Sequence, residues 1–239
     1  MAPRPCYLRP MAKSRLSVVV PALNEAEALP PTLIALAEAR RRMQFEVVVV
    51  DGGSRDGTVA TARRHGARVI SAPPGRGTQL AAGADVASYD WLLFLHADTV
   101  LARGWSEAAL AFLDNDANGT RAAVFRFALD DPDPRARQLE RWTRWRGRAL
   151  GLPFGDQGLL ISRPFYRHLG GFRSIPLMED VALVRRIGRR RLVFLEKDAF
   201  TSAVRYRRGG WWLIPARNLA LLTMYFLGVP PSVLNRLYR

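Results

Sequence analysis

The stretch FEVVVVDGGSRDGT, residues 45–58, decides the fold, because it passes from a β-branched apolar run into a turn and then a helix start. Phe45 to Val50 reads as a strand. Asp51-Gly-Gly-Ser54 is a turn. Asp56 stands where it can N-cap a helix over about 57–65, which carries Val59 and Ala62. Upstream, LSVVV (16–20) is a second buried strand, and Pro21 should end it, since proline cannot donate to a ladder. Between the two, Leu29, Leu33, Leu36 and Met43 recur at helical spacing, so Glu27 to Arg42 is expected to be a helix. Downstream come ARVISA (67–72) as a strand, PPGRG (73–77) as a loop, Gln79 to Val86 as an Ala-rich helix and WLLFL (91–95) as a strand. Strands alternating with helices over short links predict a mostly parallel α/β sheet.

After Asp98 the rhythm changes. A helix is expected near 103–113, and RAAVFRFAL (121–129) alternates like a half-exposed strand. DDPDP then breaks the chain, and 135–149 is a basic helix bearing Trp142 and Trp145. GDQGLLIS (155–162) is a turn and a short strand; a helix near 179–189, strands near 191–195 and 200–204, and an apolar helix over 211–228 complete the chain. The expected organisation is a loose tail over 1–14 and one domain over 15–239, with parts at about 15–100, 101–210 and 211–239.

The 239 residues are 49% hydrophobic, enough for a real core, and the net charge is +15 from 36 basic and 21 acidic residues. The basic residues are arginines apart from Lys13 and Lys197. Such a surplus favours anionic partners, although compositional bias alone also produces it. Cys6 is the only cysteine, which excludes an internal disulfide and a cysteine metal site and fits a reducing compartment. The segment before Leu16 has no apolar core of the kind a signal peptide needs, so a cytoplasmic protein is expected, and Met11 is a second candidate start. WWLIPARNLALLTMYFLGVPP (211–231) falls short of the about 20 apolar residues that span a bilayer. It reads either as a buried C-terminal helix or as an interfacial one, peripheral on an anionic membrane.

In an open parallel sheet, ligands bind beyond the carboxyl ends of the strands. Those ends carry Pro21, Asn24 and Glu25; Asp51, Gly52 and Asp56; Arg76; and His96 and Asp98. Asp51 can accept from base N–H groups or ribose hydroxyls, Gly52 admits a ligand to the backbone, and Arg76 can meet phosphate with a planar fork of donors. Asp98 is a hard oxygen ligand suited to Mg²⁺ or Mn²⁺, ions that also take diphosphate oxygens. His96 is either a second ligand, better suited to Mn²⁺, or a satisfied half-buried histidine. Glu179 and Asp180 open a helix, where carboxylates serve as acid–base groups or simply complement the helix dipole. Arg205, on a Gly-hinged basic loop with Arg207 and Arg208, can close over a diphosphate.

VVVPALNE (18–25), VVVDGGSRDGT (48–58) and the strand followed by His-Ala-Asp resemble the family 2 glycosyltransferases of GT-A fold over roughly residues 16–207. GRGTQLAAGA (75–84) and LHADT (95–99) are similar to a small bacterial subgroup of that family. The resemblance implies that Pro21, Glu25 and Asp51 hold base and ribose, that Asp98 closes the metal-binding D-x-D element, and that Asp180, second of its acidic pair, is the catalytic base. It makes Asp156 and Gln157 an acceptor-side loop, for which an Asx-type turn is the plainer reading. It implies a nucleotide-sugar half over about 15–100, an acceptor half over about 101–210, and inverting transfer from a UDP-sugar to an acceptor hydroxyl; the apolar C-terminal stretch, not the resemblance, adds a lipid to the candidate acceptors. This chain departs from the pattern at His96, where an acid is usual, and at Ala82, where Asn is frequent.

Rival classes fit less well. A nucleotidyltransferase would carry a Gly-rich, Lys-bearing loop near the N-terminus, and a dehydrogenase would carry G-x-G-x-x-G after the first strand. PALNEAEALP is neither. A nucleic-acid-binding module accounts for the charge but not for acids at three strand ends, and no specific nucleic acid is expected. A degenerate, binding-only relative is the remaining alternative, raised by His96 and Ala82.

Overall fold

The computed structural model describes residues 15–238, so the expected tail over 1–14, with Cys6, lies outside the described residues. The strands are β1 (Arg15–Ala22), β2 (Gln44–Asp51), β3 (Arg68–Ser71), β4 (Trp91–Phe94), β5 (Thr99–Leu101), β6 (Ala122–Leu129), β7 (Leu159–Ser162) and β8 (Leu192–Thr201). The helices are α1 (Leu29–Leu36), α2 (Thr58–Arg64), α3 (Arg76–Val86), α4 (Trp105–Leu113), α5 (Pro134–Leu150), α6 (Arg163–His168), α7 (Glu179–Ile187), α8 (Val204–Gly209), α9 (Leu213–Phe226) and α10 (Pro231–Tyr238). The strands form one mixed sheet in the order β3-β2-β1-β4-β7-β6-β8-β5. Its first four strands are parallel; β7 runs antiparallel to β4 and β6, while β8 runs parallel to β6 and antiparallel to β5.

The valine runs of β1 and β2 are buried on both faces, as the middle of a helix-covered parallel sheet requires. Val18, Val20 and Val49 pack with Leu29, Leu36 and Trp105 on one face, and Val19, Val48 and Val50 pack with Leu80, Ala84 and Leu92 on the other. α3 lies close against the sheet: a Cβ on Gly83 would stand 2.3 Å from Val19 Cγ1, so only glycine fits there.

Several expectations need correction. Pro21 does not end β1 but pairs within it, opposite Val50. The Val19 carbonyl accepts from Leu95, and β4 pairing stops at Phe94, so by the two-residue period of a strand the missing N–H of Pro21 points past the end of β4. The GRG segment is not a flexible loop, because α3 begins at Arg76. β6 is buried at every position except Arg126, with Val124 and Phe125 in cores on opposite faces and α5 covering Phe127 and Leu129 through Ala136 and Leu139. The two strands expected near 191–195 and 200–204 are one, since β8 pairs with β6 on both sides of a single register shift. Residues 204–209 form α8 rather than a loop, the expected helix over 211–228 is α9, and α10, beyond Pro230, is a further helix outside that expectation. Among the described residues no helix is long and apolar enough to cross a membrane.

Candidate active site

A cavity of about 890 Å³ opens at the carboxyl edge of β1 and β4 and extends under α5, α7, α9 and α10. Of the expected site residues, Pro21, Glu25, Arg76, His96, Asp98, Asp156, Glu179, Asp180 and Arg205 line it. Asn24, Asp51, Gly52, Asp56 and Gln157 do not.

Those last residues hold the loops that frame the cavity. The Asp51 carboxylate accepts from the N–H groups of Gly53 and Ser54 at 3.1 and 3.2 Å, closing an Asx-type turn. Asn24, in the left-handed region at φ 57°, donates its backbone N–H to Ser54 Oγ at 2.9 Å and accepts from Arg55 N–H at 2.9 Å. Asp56 accepts from Thr58 N–H at 2.9 Å and from Ala26 N–H at 3.1 Å, but the cap position of α2 is held by Gly57, one residue later than expected. The Thr58 hydroxyl, which also donates to Asp56, and then these backbone bonds hold its carboxyl below the usual range. Gln79, which sequence reading passed over, donates its amide to the carbonyls of Ala22 at 2.9 Å and Val50 at 2.8 Å. Those carbonyls lie at the ends of β1 and β2, and the amide rising from α3 ties the two strand ends together, in addition to the bond Ala22 accepts from Gly52 N–H. Gln157 is buried behind the cavity wall and donates to the Phe125 carbonyl at 3.3 Å.

The far side is built differently. Glu179 and Asp180 open α7 after Met178, which adopts φ 68°. Glu179 is 2% exposed. Its Oε1 lies 3.6 Å from Arg76 Nη1 and has no hydrogen-bond partner. Burial, and the neighbouring charge of Asp180, push its carboxyl up to about 7 against the pull of Arg76. Asp180 Oδ2 accepts from Gly155 N–H at 2.8 Å, and Oδ1 accepts from Val181 N–H at 2.7 Å. A Cβ on Gly155 would stand 2.7 Å from His96 Nε2 and 3.5 Å from Asp180 Oδ2. The imidazole and the carboxylate thus border one space, kept open by a glycine. Burial and the charge of Arg76 hold His96 well below its ordinary value, so its ring is neutral at physiological pH.

Asp156 is raised to about 6 by burial, with Arg146 opposing, and its Oδ1 has no partner. Arg146 comes from α5, donates from Nε to the Leu152 carbonyl at 3.1 Å and lies 3.5 Å over the Phe154 ring. The sequence marked α5 as basic and Trp-bearing, but gave no sign that Arg146 points inward. The guanidinium of Arg205 sits 5.2 Å over the ring of Tyr238, which also lines the cavity. Ala82 packs against the core beneath α3 and does not face the cavity.

Asp98 is raised by burial, with Arg76 and Arg205 offsetting part of it. Glu25 is raised by burial and then by the negative charge of Asp98. Glu25 and Asp98 both stand on the cavity wall, and carboxylate oxygens are the ligands a hard cation takes. No group of three or more His, Cys, Asp or Glu side chains among the described residues is placed to hold a metal. Mg²⁺ and Mn²⁺ need few protein ligands when waters and phosphate oxygens complete the shell, so Asp98 with a neutral His96 fits such an ion.

The glycosyl transferase family 2 model matches residues 17–169. An uncharacterised glycosyltransferase of Mycobacterium tuberculosis is 37% identical over 109 residues, which is 45% of this chain and 48% of that protein. A PGL/p-HBAD biosynthesis glycosyltransferase of the same species is 38% identical over 98 residues, 38% of each chain. The chain therefore spans about half, or less, of the length of these curated relatives. Among solved structures, glucosyl-3-phosphoglycerate synthase of M. tuberculosis, crystallised with Mn²⁺, UDP and glucosyl-3-phosphoglycerate, superposes with a TM-score of 0.58 at 21% identity, covering 80% of this chain and 71% of that one. TarS residues 1–349 of S. aureus match with a TM-score of 0.58 at 16% identity, covering 79% and 60%. At these identities the two structures speak for the fold, GT-A, which the mixed helix-covered sheet shares with them. The family model extends over most of the chain, from β1 through β7 and α6, and on that ground the chain belongs to glycosyl transferase family 2.

Proposed function

We propose that the chain is an inverting, divalent-metal-dependent glycosyltransferase that moves a sugar from a nucleoside-diphosphate sugar, a UDP-sugar in first place, to an acceptor hydroxyl. One observation carries this reading: Asp98, His96, Arg76 and the Glu179–Asp180 pair, from separate strand and helix ends, face one cavity at the carboxyl edge of the parallel strands. The UDP bound in the glucosyl-3-phosphoglycerate synthase and the UDP-GlcNAc bound in TarS support the choice of donor.

Pro21 and Glu25 meet the base and ribose from the cavity wall, and Asp51, with Asn24, Gly52 and Asp56, holds the adjoining loops in shape. Arg76 and Arg205 counter the diphosphate charge. Asp98 and His96, in a His-Ala-Asp version of the family's metal motif, would hold Mg²⁺ or Mn²⁺, which when bound draws negative charge from the leaving diphosphate. Asp180 takes the proton of the acceptor hydroxyl as its oxygen attacks the anomeric carbon from the side opposite the diphosphate. One displacement inverts the anomeric configuration and needs no covalent enzyme intermediate. Asp156, and Gln157 behind it, shape the acceptor side. Both halves belong to one domain in this reading, and the acceptor is a lipid met at the anionic inner face of the cell membrane.

The test is UDP release from UDP-sugars with Mn²⁺, together with a thermal-shift panel of nucleoside diphosphates with and without the ion. The expected result is stabilisation by UDP that Mn²⁺ strengthens, with Asp98→Ala removing the metal dependence. UDP binding without turnover or any metal effect would favour the binding-only alternative.

A further inference from the structure

Among the described residues, eleven of the thirteen large hydrophobic side chains that stand exposed lie between Trp142 and Leu237, on α5 and the helices after β8. Singly exposed apolar residues need no explanation, but several that border one cavity do. Part of this set is continuous with the reaction cavity. Trp142 and Trp145 are 51% and 55% exposed and stack on each other, with ring centroids 5.4 Å apart and planes at 22°. Leu150 continues that face of α5, while Trp212 and Leu219 stand on the wall formed by α9 and the residue before it. All five line the same cavity as Asp98 and Asp180.

We infer that this wall is a binding site for the apolar chain of an amphiphilic acceptor, whose hydroxyl-bearing head reaches Asp180. The inference rests on the glycosyltransferase reading and deepens it by assigning the acceptor's chain to a surface. Tryptophans alone would also suit the faces of a free sugar. Leu150 and Leu219 offer a hydroxyl nothing, however, and an alkyl or isoprenoid chain gains from all five side chains by leaving water. The cavity also supplies what a polar head needs. Arg146 Nη2 and Asn218 Oδ1, one on each wall, and Asp156 Oδ1 beside them, are buried and have no hydrogen-bond partner.

The experiment is calorimetric titration of the full chain with hexyl, octyl and decyl β-glucosides, each below its micelle concentration, and separately with UDP. Affinity should rise roughly fourfold for each added methylene, the value of about 0.8 kcal/mol per buried CH₂ expressed as a ratio. The Trp142→Ala/Trp145→Ala variant should flatten that dependence while UDP affinity stays as in the wild type. Leu219→Asn, on the opposite wall, should flatten it without disturbing the stacked pair, which covers the case in which the double variant does not fold. Equal affinity along the series, or a slope that survives in both variants, overturns the inference. So does binding to phosphatidylglycerol vesicles with none to the monomeric glucosides, which would make the wall a membrane-docking face. Failure of the wild type to bind UDP, with the chain-length slope intact, would instead remove the donor reading and leave this site standing.

Discussion

The two sides of the cavity satisfy their polar groups in opposite ways. Along the β1 and β2 edge, Asn24, Asp51, Asp56 and Gln79 each hydrogen-bond to the backbone of a neighbouring loop or strand. Across the cavity, Glu179 Oε1, Asp156 Oδ1 and Arg146 Nη2 are buried without hydrogen-bond partners, and burial raises Glu179 and Asp156 to about 7 and about 6. The first side is a mould already set by its own hydrogen bonds, so a ligand there meets a fixed shape. The second keeps charged groups in a poor dielectric with their bonding capacity open. Such groups are costly unless something completes them, and perturbed carboxylates of this kind gather where chemistry is done.

The largest expected effect tests whether that division is real. Asp180→Asn keeps the side-chain shape, and its carbonyl can still accept from Gly155, but it cannot take a proton from an acceptor. Transfer should fall by about 10² to 10⁴-fold, the usual contribution of a general base, while UDP affinity is unchanged. Parallel progress curves and UDP titrations would show this. A loss of UDP binding as large as the loss of turnover would mean that the two sides do not act separately.

Glu179→Gln probes the cost of the open side. An acid whose folded value is raised keeps its proton in the folded state where the unfolded chain has lost it. The wild type should therefore lose stability as pH rises from about 4.5, the unfolded value, through about 7. Gln carries no charge to bury. Its stability should match the wild type near pH 4.5 and exceed it above pH 7, by on the order of 1–3 kcal/mol, seen as a higher melting temperature. Activity should fall, since Arg76 loses its partner across 3.6 Å. Thermal melts at three pH values would read the sign, and a variant less stable than wild type at pH 8 would show that the Arg76 pair outweighs desolvation.

The same division explains what could be read in the sequence. The β1 and β2 edge is local: the valine runs, the Asp-Gly-Gly-Ser turn and Asp56 just ahead of α2 are consecutive, and their chemistry dictates strand, turn and helix in order. Pro21 misled because its effect depends on where β4 stops, which β1 does not encode. The opposite side is assembled over long separations. Asp180 meets Gly155, Arg76 meets Glu179, and Gly155 meets His96, pairings that no periodicity announces. The acidic pair could be found by its place at a helix start. The inward turn of Arg146 and the cover over β6 by α5 could not, because both follow from how α5 docks. Glu196, Lys197 and Asp198 interrupt the apolar pattern between 191–195 and 200–204, yet Asp198 stays in the strand, held by a bidentate pair with Arg126.

The smallest expected effect sits in the set mould. Asn24 is exposed, yet its left-handed backbone and its two bonds to the β2 turn fix the entry to the loop that carries Glu25. Asn24→Gly keeps the backbone at no steric cost and removes only the side-chain bond to Arg55. Asn24→Ala removes that bond and keeps a Cβ at positive φ without the local hydrogen bond that offsets it, a conformation that costs about 1–2 kcal/mol for alanine and nothing for glycine. Alanine should therefore weaken UDP binding several-fold and lower the melting temperature by more than glycine does, with turnover at saturating donor unchanged in both. If glycine proved the more damaging, flexibility rather than strain would govern this edge. If saturating turnover fell with either variant, the set side would be taking part in the chemical step and the contrast between the two walls would fail.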